Sequence, residues 1–166
     1  MLFKDVIGQE HTKQQLVDMV KGNRLSHALL FLGKEGSGAL PLAMAFAQYI
    51  VALPYDSGDP QPSGPSLFGD EVVIEKKKLP DSPGEADAFV QSHSSYSKSE
   101  AMVHPDIHYS YPVVTKKSGS AAVSSDYIGE WREFLRSYPY GNVYDWLQMI
   151  GAENKQGNIT AQECNE

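Results

Sequence analysis

The stretch Gly33-Lys34-Glu35-Gly36-Ser37-Gly38-Ala39-Leu40 has the residue types and spacing that bear most directly on chemistry. Glycines placed this way let backbone N–H groups converge on a phosphate. A Lys after the last glycine then neutralises the β and γ groups, and a following Ser or Thr holds Mg²⁺. Here those two positions are Ala39 and Leu40, so the frame of a phosphate-binding P-loop is kept while its reactive side chains are absent. Gly33, Gly36, Ser37 and Gly38 are the candidate nucleotide-binding residues of a degenerate site, one that binds weakly or not at all. Lys34 leaves the turn at a different point and is read as a solvated charge, not a replacement for the lost lysine. No catalytic residue is assigned and no hydrolysis is expected.

Such a loop must sit between a strand and a helix. Ahead of it runs Ala28-Leu29-Leu30-Phe31-Leu32, a short apolar run ended by Gly33, which predicts a strand buried on both faces, as in parallel sheets. Behind it, Leu40, Ala43, Met44, Ala47, Ile50 and Val51 fall at helical spacing, with Pro41 in the first turn where its missing N–H costs little. Leu16, Val17 and Val20 predict an earlier helix over Glu10–Lys21, stopped by Gly22-Asn23. Ile107-His108-Tyr109-Ser110-Tyr111, followed by Val113-Val114, predicts a second strand. Ser125 or Asp126 can cap a helix carrying Ile128, Trp131, Phe134, Leu135 and Tyr138, and Asn142 with Asp145 caps another that runs to Ile150. Thr160-Ala161-Gln162-Glu163 has the form of a capping box, with Ile159 and Cys164 as its apolar staple. A helix announced so close to the last residue makes the chain read as the front part of a longer protein. The fold class expected is α/β, an incomplete P-loop domain with a parallel sheet flanked by helices and a long irregular insertion. Residues 1–53 form its front half, 54–99 the insertion and 100–166 the remainder.

With 166 residues, the chain has room for about one domain on a prior of ~150 residues each. Fourteen Lys and Arg against 21 Asp and Glu give a net charge of -7, too acidic to grip a nucleic-acid backbone with the whole surface. A single cysteine, Cys164, excludes an internal disulfide framework and any Cys₄ or Cys₂His₂ zinc site, and fits a reducing compartment. No basic leader precedes an apolar run, and the apolar stretch 39–55 contains Pro41 and Pro54 and is short for a membrane span. A cytoplasmic protein with no membrane contact is expected.

Other side chains have the types of a site without its pattern. His104, Asp106 and His108 would share one face of a strand, but Pro105 breaks it, and a loop-to-strand junction with Asp106 bonding backbone is preferred to a metal site. His93 among Ser92, Ser94 and Ser95 lacks the glycine elbow of a nucleophile. Trp131 and Trp146 could stack bases, but their helical spacing without an interleaved basic stripe assigns them to the core.

Taken in order, Phe3-Lys4-Asp5-Val6-Ile7-Gly8-Gln9, Leu25-Ser26-His27-Ala28-Leu29-Leu30-Phe31, the degenerate loop and His104-Pro105-Asp106 resemble the delta-prime subunits of bacterial DNA polymerase III clamp loaders, proteins of the AAA+ family. The loop and Pro139-Tyr140-Gly141-Asn142-Val143-Tyr144-Asp145-Trp146 are most similar to the Bacteroidetes form, and only the N-terminal part of the family is covered. The resemblance implies a non-hydrolysing structural subunit of a hetero-oligomer. Its partners would be the other clamp-loader subunits and, through the complex, the sliding clamp and primed DNA. Family members of this kind commonly carry a zinc module, and its four ligand positions fall on Ala52, Pro83, Ala86 and Phe89. Zinc is therefore not carried over, and ATP binding is doubtful. Two alternatives stay open: a nucleotide- or anion-binding P-loop module, and an active P-loop ATPase.

Overall fold

The computed structural model describes residues 1–53, 78–116 and 121–163. The helices are α1 (Glu10–Lys21), α2 (Ala39–Ala52), α3 (Pro83–Ser92), α4 (Tyr96–Glu100), α5 (Ile128–Ser137) and α6 (Val143–Met149), with 3-10 turns at Phe3–Asp5 and Ser124–Tyr127. α1 and α2 lie where the apolar spacing puts them. α6 begins at the foreseen cap, since Asn142 Oδ1 accepts the Asp145 N–H at 3.0 Å and Asp145 Oδ2 accepts the Asn142 N–H at 2.9 Å. α5 carries Trp131, Phe134 and Leu135 inward as expected, but it is entered through the 3-10 turn with no side-chain cap, and Tyr138 faces solvent.

The described residues do not form the expected parallel sheet. Among the described residues the only β pairing is an isolated antiparallel bridge between Val113 and Asn158. A strand is held by ladder bonds to a neighbour, and residues 28–32 have none to any described residue. Phe31 packs on Phe46 of α2, ring centroids 6.3 Å apart, while Leu30 and Leu32 are 85% and 88% exposed. The run is thus apolar on both sides but covered on one. Residues 107–111 also form no strand: Tyr111 is pulled into an aromatic cluster and its hydroxyl donates to the Ser124 carbonyl at 2.7 Å.

Two further segments differ from their sequence pattern. Part of the stretch read as irregular is helical, because Ser82 caps α3 by accepting the Glu85 N–H and Pro83 fills the first helical position. Among the described residues Thr160 caps no α-helix; the Glu163 N–H closes a turn on its carbonyl at 3.1 Å. The Glu163 carboxylate that should close the capping box instead accepts from the Ser124 N–H at 2.6 Å, the Ser124 hydroxyl and the Ser110 hydroxyl. Burial of Glu163 opposes its ionisation, but these three hydrogen bonds outweigh it and hold the pKa below the usual carboxylate value. The Thr160 hydroxyl is spent on the Ala122 carbonyl. Cys164, Pro54 and the Val72-Val73-Ile74 run lie outside the described residues.

The core is two apolar clusters separated by α2. On one side Phe3, Val6, Leu16, Val17 and Val20 meet Leu42, Ala45, Phe46 and Tyr49 of α2 together with Ala86 and Val90 of α3. On the other, Met44 and Leu40 meet Tyr111, Val113, Tyr127, Trp131, Phe134, Trp146 and Leu147. α2 is apolar all round and packs on two sides, so of the expected single stripe Met44 is buried but the most buried residues lie elsewhere on the helix. Ala43, Ala47, Ile50 and Val51 are only half-buried, whereas Leu42, Phe46 and Tyr49 are buried. Trp131 and Trp146 are core residues, as their spacing indicated: Trp131 stacks on Tyr111 at 4.0 Å, and Trp146 stands edge-on to both and donates its indole N–H to the Pro112 carbonyl at 2.7 Å.

The N-terminal turn is fastened to α3 by one side chain. Asp87, 5% exposed, accepts the Phe3 and Lys4 N–H groups, each at 2.8 Å. Close by, Lys13 buries its ammonium against the Val6 carbonyl at 2.8 Å and the Glu10 carboxylate at 2.7 Å.

Candidate functional site

The glycine loop joins the exposed 28–32 segment to α2 and folds back over the helix start. Gly36 (φ 72°) and Gly38 (φ 85°) take the left-handed conformation that disfavours other residues, and Ser37 N–H closes a turn on the Lys34 carbonyl at 3.0 Å. Gly38 is the N-cap of α2, with no side-chain cap. Free backbone donors at a helix N-terminus are what an anion would use, but the third helical residue is Pro41, so the N–H groups left are those of the N-cap Gly38, Ala39 and Leu40. Leu40 itself packs against the aromatic cluster. Lys34 is exposed at the loop's outer edge.

A cleft of about 270 Å³ separates the loop from the α5–α6 corner, with Trp131, Phe134, Tyr140 and Trp146 in its far wall. Gly33, Gly36, Ser37 and Gly38 all line it, so the four candidate residues share one surface. Two other segments hold the loop, the Ile7–Gln9 turn and the stretch between α5 and α6. The Gln9 amide donates to the Ser37 carbonyl, the Asn142 amide donates to the Glu35 carboxylate at 3.2 Å, and the Tyr140 ring lies against Gly38 while its hydroxyl accepts the Ile7 N–H at 2.7 Å. Gln9, Tyr140 and Asn142 all fall in stretches that carried the resemblance, yet nothing in their local pattern marks them as loop contacts.

The remaining candidates stay apart from this cleft. His104 Nδ1 accepts the Asp106 N–H at 3.2 Å and lies 3.9 Å from its carboxylate, so the junction is held by the histidine ring and not by the Asp106 side chain. His93 Nδ1 lies 2.7 Å from the Ser95 hydroxyl and accepts the Ser95 N–H, contacts that close a local turn. Among the described residues no three His, Cys, Asp or Glu side chains gather as a metal site. The positions aligned with zinc ligands do not fit the ion either: Ala52 and Ala86 are buried in one apolar cluster and Phe89 packs against it, with no donor atom among them.

Over 46 residues, 28% of its length, the chain is 48% identical to the tau/gamma subunit of DNA polymerase III of Haemophilus influenzae. The matched stretch spans 7% of that relative. No protein-family profile and no solved structure match the chain. Among the described residues no helix is long and apolar enough to cross a membrane.

Proposed function

We propose that the chain serves DNA replication as a clamp-loader-related protein, and more narrowly as a non-hydrolysing structural subunit of the delta-prime kind. The similarity to a DNA polymerase III subunit carries the broader reading. The narrower one rests on the loop. Ala39 and Leu40 stand where phosphoryl transfer needs a lysine and a metal-holding hydroxyl, and Pro41 removes a further backbone donor. In this reading the protein works by holding other clamp-loader subunits, reaches the sliding clamp and primed DNA through them, and is cytoplasmic. Its net charge of -7 suits contact with DNA through partners.

A second reading, an anion- or nucleotide-binding module, is favoured by the left-handed Gly36 and Gly38 beside an open cleft. Calorimetric titration with ATP, with and without Mg²⁺, separates the two. The structural-subunit reading expects no saturable heat in either condition, and a saturable isotherm supports the module. Turnover of ATP by the purified chain would refute both in favour of an ATPase.

A further inference from the structure

The glycine loop has little to hold its own shape. Its internal support is the single Ser37 N–H to Lys34 carbonyl bond, and its remaining anchors come from chain segments distant in sequence. The α5–α6 corner opposite is rigid by comparison. Gly141 is packed so closely that an added Cβ would meet the Phe134 ring at 2.7 Å, and Asn142 is fixed by its reciprocal bonds with Asp145. Tyr140 projects from this corner and touches two things at once. Its ring lies where a Cβ on Gly38 would come within 2.9 Å, and its hydroxyl accepts the Ile7 N–H from the turn that also carries Gln9, the residue bonded to Ser37. Around the same corner Tyr138, Val143 and Tyr144 are 56%, 52% and 59% exposed.

We propose that Tyr140 is a latch that couples the α5–α6 corner to the glycine loop, so that displacing the corner releases the loop and the Ile7–Gln9 turn together. The inference stands on the geometry of these contacts and goes beyond the clamp-loader reading, holding whether or not that reading does. Without the latch, the loop keeps one internal bond and the exposed Gln9 and Asn142 contacts, each weakened by competition with water. The ring sets the position of Gly38, and the hydroxyl sets that of Ile7.

Amide hydrogen exchange on the 166-residue chain, resolved by NMR, tests the latch with variants of Tyr140. Tyr140→Ala is expected to speed exchange of the Ile7 and Ser37 amides together by about tenfold, the loss that one hydrogen bond accounts for, while amides in the middle of α1 and α2 keep their protection. Tyr140→Phe keeps the ring and removes the acceptor, so it is expected to speed exchange at Ile7 alone. Unchanged Ser37 exchange in a folded Tyr140→Ala protein overturns the proposal, because the loop would then be self-supporting. If Tyr140→Ala unfolds, Tyr140→Leu, which removes both the acceptor and the flat ring over Gly38 but keeps apolar bulk, decides: unchanged Ser37 exchange overturns the coupling, and Ile7 and Ser37 speeding up together supports it.

Discussion

Asp87 offers the sharpest test of how the N-terminal segment is held. Its two carboxylate oxygens each accept a backbone N–H at 2.8 Å, from Phe3 in a buried bond and from Lys4 in a half-buried one. Truncation to alanine leaves both donors without a partner, and the Phe3 donor has no route to water because Phe3 is 1% exposed. Hydrogen bonds to a charged acceptor contribute about 1.5–3 kcal/mol each, and taking the low end for both puts Asp87→Ala at about 3 kcal/mol. For a domain of this size that corresponds to a fall in Tm of roughly 10 °C. Asp87→Asn keeps one acceptor and turns an amide donor toward the other N–H, so it should lose at least half as much. Thermal melts followed by circular dichroism at the helix band measure both. If the alanine and asparagine variants melt together with wild type, the N-terminal turn is not fastened through Asp87, and its packing on α3 has another cause.

Leu30 and Leu32 face solvent, so Leu30→Gln with Leu32→Gln should shift urea stability by no more than about 0.5 kcal/mol per site, the usual range for surface changes; a loss several times larger would mean that the run is buried after all. Burial raises the Tyr49 pKa from 10.0 to about 12, and its hydroxyl has no hydrogen-bond partner among the described residues. The unfolded chain therefore ionises first, and stability present below pH 10 is lost as pH rises toward 12. Tyr49→Phe should flatten that alkaline loss in pH-dependent urea melts, and an unchanged profile would discount it. The double change Ala39→Lys, Leu40→Thr should raise ATP affinity in calorimetry without producing turnover; no gain in affinity would show that Pro41 and the loop geometry, not the missing side chains, exclude nucleotide.

Helices were legible in the sequence where the local signal and the tertiary need agreed. The spacing of Leu16, Val17 and Val20 placed α1, and the Asn142–Asp145 pair placed α6, because a cap and its helix are settled within four residues. The failures were non-local. Residues 28–32 have strand composition, but a strand also needs a neighbour, which composition does not supply. Thr160 and Glu163 have the spacing of a capping box, yet Glu163 finds Ser124 and Ser110, over 35 residues away, and no local pattern announces that choice. The α3 helix was hidden by Pro and Ser nearby, although Ser82-Pro83 is itself a helix start. At the cleft, the glycines were visible from their spacing. Gln9, Tyr140 and Asn142 were not, since what brings them to the loop is the packing of three separate segments.

Association with a clamp-loader subunit tests the central reading most directly. Sedimentation velocity of the purified chain mixed with a DNA polymerase III tau/gamma subunit, without nucleotide and then with ATP and Mg²⁺, reads complex formation, and phosphate release from the same samples reads turnover. The expected result is a stoichiometric complex, with no phosphate released by this chain alone. Two species sedimenting independently in both conditions, or phosphate released by this chain by itself, would contradict it.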